Sequence, residues 1–411
     1  MTNAYPDFSL AYYSGDRKTG TLVHIRNSNG QIEVTTLPSG KDSGLDKALK
    51  PVMVGTTGTQ AVLLDPQSKE LNVVNEFPED AFAAHVYSDP YTTLDWFMND
   101  GDKETGNDTL NCGSNGSSVS VVENSNSGAA RYLGTVCVGR GHHQAAFTWP
   151  STTVPNAPRR AVISNLKDGT LSFVGSDPND SATFLKVLAT LNLCEPDKEQ
   201  GLQADAVPNN AFPHGLVYSS VTGKLYNLNN GYGTVVVIDP ATAKIEKRIN
   251  FKGHSNLFIS RDGRYVIGRG ADRKSDPDHV IAKLSVLDVT DNTVVDSINL
   301  SDIYISKYFF NVDGSRLFLT TSSSGSEDQQ KNLKTDVVAC FDMTALPKLK
   351  QTHELKLGSV GTLDFLSDGT VFSSDGPNGE VVVLDGGNLE IVERIRVNSG
   401  QPHSRLWLLP N

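Results

Sequence analysis

Apolar residues recur along this chain in short runs broken by Gly, Asn and Asp. The clearest unit opens with Phe212-Pro213-His214-Gly215-Leu216-Val217-Tyr218 and turns at Thr222-Gly223. It continues through Lys224 to Asn229, then Gly233 to Asp239, then Lys244 to Ile249. Each run has period-two or fully apolar patterning, so the unit reads as four short β-strands. The next unit repeats it, with His254 to Phe258, a turn at Asp262-Gly263, Tyr265 to Gly268, Ala282 to Asp288 and Thr293 to Ile298. A third copy starts near Ile305 and turns at Asp313-Gly314; a fourth turns at Asp368-Gly369 and holds Val381 to Asp385. Upstream, units beginning near His85 and His143 carry longer insertions, including the polar stretch 107–128. No amphipathic helix of three turns is predicted.

Repeats of this kind stack as blades of one toroid rather than as separate domains. After Pro402 the chain writes only one strand, His403 to Leu408, while its N-terminal part begins with the complementary strands, Phe8 to Tyr13, Gly20 to Ile25 and Gln31 to Leu37. The expectation is an all-β chain: a single closed β-propeller over residues 1–411, of seven or eight four-stranded blades. Its last blade is closed by N- and C-terminal strands, which removes exposed sheet edges. The number is eight if Leu45 to Phe77 forms its own blade and seven if that segment merges with a neighbour. The phrases Pro213-His214-Gly215 and Ser260-Arg261-Asp262-Gly263, with strand ends such as Val237-Ile238-Asp239 and Leu287-Asp288, resemble the YVTN-type and cytochrome-d1-type propeller superfamily. That resemblance covers most of the chain from about residue 200. It implies the fold and is nearly silent on function.

Charge narrows the partners. Thirty-six basic against 47 acidic residues give a formal net charge of -11, with no basic patch, which argues against nucleic acid. No apolar run approaches the roughly 18 residues of a membrane-spanning helix. The cysteines are Cys112, Cys137, Cys194 and Cys340, with no C-x-x-C pair to suggest a thiolate zinc site. Cys340 reads as a buried thiol; Cys112 and Cys137 could bridge within one blade, a pairing the sequence leaves open. The first six residues, Met1 to Pro6, lack the features of a signal peptide. That fits a cytoplasmic chain or a mature exported one; a periplasmic location with the signal removed is the expectation carried forward.

The nine histidines carry the functional signal. His214 lies nine residues before Gly223, and His254 nine before Gly263. His143, His214, His254 and His403 are each followed four residues later by an aromatic: Phe147, Tyr218, Phe258 and Trp407. Equivalent positions at the start of innermost strands line a propeller's channel, so four imidazoles would converge there. The same count lands on Ile305 and Val360 in two other repeats. His142 precedes His143, and His85 opens an innermost strand of its own. His24, His279 and His353 fall on outer strands or a loop and read as structural. A polar residue facing channel water explains any one such histidine; several in register favour a metal centre. Neutral imidazole is the commonest protein ligand for zinc and copper, and an all-nitrogen set suits copper first and zinc second.

The phrase Gly141-His142-His143-Gln144-Ala145-Ala146-Phe147 resembles the paired-histidine opening of a blade in histidine-ligated copper propellers, of nitrous oxide reductase and thiocyanate dehydrogenase type. The resemblance implies His85, His142, His143, His214, His254 and His403 as copper ligands. It further implies an oxidoreductase acting on a small inorganic sulfur or nitrogen substrate, with an electron-transfer protein as partner. Lys307 and Arg405 flank channel-facing strands and would orient an anionic substrate. A non-catalytic metallochaperone or interaction scaffold is the alternative from another class, and tetrapyrrole (haem d1) handling a third. Asp100-Gly101-Asp102-Lys103-Glu104 has a thin likeness to a calcium loop, with an ordinary hairpin the better reading. No serine-hydrolase, zincin, P-loop or dinucleotide motif is present.

Overall fold

Strands covered on both faces lose the alternation of apolar and polar residues, whereas strands at the rim keep it. The strands Phe8–Ser14 and Leu94–Asn99 are buried at every position. Lys244–Asn250 and Lys350–Lys356 are exposed over most of their length, and their lysines discourage edge-to-edge pairing. The computed structural model describes residues 6–15, 21–37, 54–56, 60–64, 71–77, 81, 83–101, 112, 117–124, 130–199, 201, 203, 205–398, 400–401 and 403–409. These form seven four-stranded antiparallel sheets and one of three strands, arranged as a closed β-propeller.

Blade 1 joins the C-terminal strand Ser404–Leu408 to Phe8–Ser14, Thr21–Ser28 and Gln31–Leu37. Sheet 2 comprises Val54–Thr56, Gln60–Leu64 and Leu71–Glu76. Blades 3 to 5 run, inner to outer strand, from Ala83–Ser88 to Ala130–Cys137, from Ala145–Thr148 to Val187–Asn192, and from Pro213–Tyr218 to Lys244–Asn250. Blades 6 to 8 run from Asn256–Ile259 to Thr293–Ser301, from Ile305–Phe310 to Lys350–Lys356, and from Val360–Phe365 to Ile391–Arg396. The segment within 45–77 thus contributes a sheet of its own, three-stranded among the described residues. Its Ala61 and Phe77 pack with Val86, Phe97 and Val122 of blade 3.

The core lies between blades. Val162 and Phe173 of blade 4 meet Leu216, Tyr218, Val236 and Ile238 of blade 5. Closure uses the same physics: Leu10 pairs with Leu408, Tyr12 with Leu406 and Ser14 with Ser404. Phe8, Leu10 and Tyr12 then pack on Phe372, Val381 and Val383 of blade 8. Trp407, in the closing strand, is only 2% exposed. Burial of each large apolar side chain contributes roughly 1.5–3 kcal/mol, so the terminal strand holds the ring shut.

A disulfide joins Cys112 to Cys137 within blade 3, with Cα atoms 5.3 Å apart. Cys194 and Cys340 are free and buried, and burial pushes the Cys340 thiol up to about 12. Among the described residues the one α-helix is the six-residue Glu327–Asn332, capped by Ser326, in agreement with the absence of any predicted long helix. Four inner strands carry a register shift near their start, between Ala83/His85, Pro213/Leu216, Ile305/Lys307 and Val360/Leu363. Such bulges re-aim the side chains beside them.

Candidate functional site

The register of each inner strand against its second strand fixes which side chains reach the channel. His85 stands opposite Met98, Asn256 opposite Arg269, Lys307 opposite Thr320 and Arg405 opposite Tyr13. Gln144, whose carbonyl takes Ser164 N–H, and Thr362, inside its blade's bulge, stand at the same level. All six are half-buried and lie on innermost strands or their approaches, the edge that lines a propeller's channel. One or two positions earlier the chain is buried instead, at Ala83, His143, Pro213, His254, Ile305 and Val360. Lys307 and Arg405 therefore share a level with His85.

Three histidines meet. The His85 and His142 rings lie edge-to-face with centroids 4.7 Å apart, and His142 stacks on His214 at 5.9 Å. Glycine makes this approach feasible at two points. Gly141, before His142, has φ +110° and a Cβ there would come within 2.5 Å of Lys167 N. Gly215, after His214, has φ +111° and a Cβ there would lie 2.6 Å from Leu257 N of the next blade.

Fixed oxygens hold two of the rings. His142 Nδ1–H donates to Asp100 Oδ2 at 3.0 Å, and His214 Nδ1–H donates to the Ser255 carbonyl at 2.7 Å. With Nδ1 as the donor, each ring keeps Nε2 as a lone-pair site. Burial is the main cause that lowers the His214 pKa, opposed by the Ser255 carbonyl and aided by the charges of His142, Arg269 and His85. The buried Asp100 carboxyl would be raised by desolvation, but the His142 and His143 donors outweigh it and hold it well below the usual carboxylate range. As they stand, no three His, Cys, Asp or Glu side chains among the described residues are grouped to hold a metal ion. Bringing three imidazole nitrogens to about 2 Å from one ion requires these rings to rotate off each other.

His143, His254 and His403, expected with the others, lie apart. His143 is fully buried, its Nδ1 3.3 Å from Asp100 Oδ1 and its Nε2 2.8 Å from the Gly139 carbonyl oxygen. His254 stacks on Phe251 at 4.1 Å, with Nδ1 3.2 Å from the Phe251 carbonyl and Nε2 2.9 Å from Ser285 Oγ. Burial brings its pKa down to about 4. His403 is exposed before the closing strand, where its carbonyl accepts Gly15 N–H.

For His254 the physical reason is a one-residue slip. Ser219 N–H bonds to the Lys224 carbonyl and Ser260 N–H to the Tyr265 carbonyl, so 219–224 and 260–265 are equivalent turns. Gly223 is fifth in the first turn and Gly263 fourth in the second. Counting back from glycine therefore equates His214 with His254, whereas pairing equates it with Ser255. A slip of one turns a strand residue to the opposite face. Of the remaining histidines, His24 is buried in the third strand of blade 1 against Ser9, and His279 pairs with Asp302 at 2.7 Å. His353 lies in an outer strand opposite Cys340.

Sequence reading missed two residues. Asp100 was grouped with a calcium-like loop, yet its side chain is 1% exposed and faces the histidines; residues 102–111 of that loop lie outside the described ones. Arg269, in the second strand of blade 6, reaches the inner edge of blade 7, where Nη1–H donates to the Ile305 carbonyl at 2.8 Å.

No family model and no curated protein sequence matches the chain. Solved structures do. Dihydro-heme d1 dehydrogenase NirN, in complex with DHE, is similar over 98% of this chain and 75% of its own, at 12% identity and a TM-score of 0.63. Apo AztD from Citrobacter koseri is similar over 98% of this chain and 99% of its own, at 12% identity and a TM-score of 0.56. The periplasmic gluconolactonase PpgL of Pseudomonas aeruginosa gives 98% and 99%, at 11% identity and a TM-score of 0.55. At such identities the likeness shows the β-propeller fold, whose members here have varied functions.

Proposed function

We propose that this chain is a metal-binding propeller that takes one imidazole-preferring divalent ion, copper or zinc, on His85, His142 and His214. The observation that carries this reading is the pair of anchored Nδ1 atoms, His142 on Asp100 and His214 on Ser255, which leaves both Nε2 atoms as donors on stacked rings. Metal-ligating histidines are regularly held this way through the second nitrogen. Three imidazoles suit copper or zinc and leave a fourth position open.

The ring packing favours reversible loading over a permanent redox centre. A catalytic metal site profits from ligands already splayed toward one point. Here the rings rest on each other and must turn to receive an ion. A carrier, whose open position admits the ligand of an acceptor protein, is therefore the reading we put first. A copper oxidoreductase on a small inorganic substrate would use the same position. Tetrapyrrole handling has only the fold behind it. The Cys112–Cys137 disulfide supports an oxidising compartment, the periplasm or outside the cell.

Equilibrium dialysis against a zinc or copper chelator of graded affinity tests the proposal. One ion per chain, released to a chelator of moderate strength within minutes, is expected. Retention of the ion through prolonged dialysis contradicts the carrier reading, and failure to take up either ion contradicts metal binding itself.

A further inference from the structure

We infer that the channel also binds a small anion, a carboxylate or an inorganic oxyanion, on the Arg269 guanidinium where blades 6 and 7 meet. This site needs no ion on the imidazoles and stands apart from the metal reading.

Arg269 is half-buried on the strand Tyr265–Asp272, opposite Asn256. Its Nη1–H donates to the Ile305 carbonyl at 2.8 Å, while Nε is sealed from solvent and has no hydrogen-bond partner. Among the described residues no carboxylate forms an ion pair with it. Acids are not scarce: the chain has 47, and Arg140, Arg159 and Arg264 pair with Asp168, Asp177 and Asp288 at 2.8, 2.8 and 2.9 Å. The groups facing Arg269 include the phenols of Tyr304 and Tyr308, neutral at ordinary pH, and Tyr308 is itself stacked on Phe258. On the other side its charge reaches His214.

A guanidinium does not escape burial by deprotonation, so an unpaired one must be offset by an anion or by water. With Nε sealed and Nη1 on the Ile305 carbonyl, the Nη2 donors are the ones left for a carboxylate or oxyanion, as a charge-assisted hydrogen bond. Lys307 adds a second positive charge at the channel level, where its Nζ–H donates to the Gly361 carbonyl at 2.8 Å. Among the described residues the equivalent positions His85, Gln144, Asn256, Lys307, Thr362 and Arg405 include no Asp or Glu, and the nearby Asp100 carboxylate is held by His142 and His143. A cationic sector on blades 6 and 7 thus adjoins the imidazoles of blades 3 to 5.

The test uses chelator-treated full-length protein at low ionic strength, titrated calorimetrically with inorganic phosphate and separately with malonate. Saturable binding of one anion per chain is expected, weakened roughly 10- to 100-fold in Arg269→Gln and left unchanged in the rim variant Arg131→Gln. Arg269→Lys, which keeps the charge but not the guanidinium that both bonds Ile305 and offers Nη2, is expected between them. Binding of phosphate alone identifies an inorganic oxyanion site, and binding of malonate alone a carboxylate site. In the wild-type chain, the bound probe should also shield Arg269 from phenylglyoxal, read by peptide mass spectrometry. A response that does not saturate, that is equal in wild type and Arg269→Gln, or that leaves Arg269 unshielded overturns the inference.

Discussion

Asp100 and His142 are joined by a 3.0 Å contact between Oδ2 and Nδ1, with the Asp100 side chain 1% exposed. The carboxylate comes from the end of the second strand of blade 3 and the imidazole from the approach to blade 4, so the pair also ties two blades together. Its other oxygen lies 3.3 Å from Nδ1 of the buried His143.

That arrangement makes Asp100 a positioning residue for His142. In Asp100→Asn one oxygen remains to accept a single imidazole N–H, and the His142 tautomer is no longer fixed. Metal affinity should fall roughly 10- to 100-fold, the usual effect of losing an outer carboxylate. Isothermal titration with zinc reads this, and a melting temperature within a few degrees of wild type separates it from a general fold defect.

His254 makes stability pH-dependent. Its folded pKa, about 4, lies below the ordinary 6.5, so the unfolded chain binds this proton more readily. Stability from this group is therefore fully present above pH 6.5 and is lost as pH falls through 4. The span corresponds to roughly 3 kcal/mol. Urea midpoints for wild type and His254→Gln should differ in slope between these limits, the variant being flatter; parallel curves would remove His254 as the cause.

The disulfide spans 25 residues and pins the insertion of blade 3 to its outer strand. Closing a loop of this size stabilises by roughly 3 kcal/mol in the chain-entropy model. Reduction should lower the melting temperature by several degrees, and Cys112→Ser should reproduce that shift without further response to reductant.

Trp407→Ala tests closure. The cavity left by a side chain 2% exposed should cost about 3–5 kcal/mol. Protease cleavage near the C-terminus should accelerate as the terminal strand loosens, while a rim substitution such as Val294→Ala should change little.

The propeller was legible because two-sided burial writes itself as apolar runs: Thr234–Asp239 and Val337–Asp342 read as strands from composition alone. The terminal closure was legible too, since each end carries the strands the other lacks. The cluster of histidine rings was half legible. His85, His142 and His214 were picked out, but turn glycines slide by one between repeats and bulges add a residue, so the frame that linked His214 to His254 equated opposite faces. Asp100 and Arg269 were invisible, because nothing in a local stretch records that a side chain will meet a partner 42 residues away in Asp100 or 36 in Arg269.

The most direct test of the central claim is zinc and copper stoichiometry in wild type, in His142→Ala/His214→Ala and in His143→Ala/His254→Ala, all purified without chelator or nickel resin. One ion per chain in wild type, lost in the first double variant and kept by whatever fraction of the second remains folded, is the predicted result. Undiminished metal in His142→Ala/His214→Ala would contradict it.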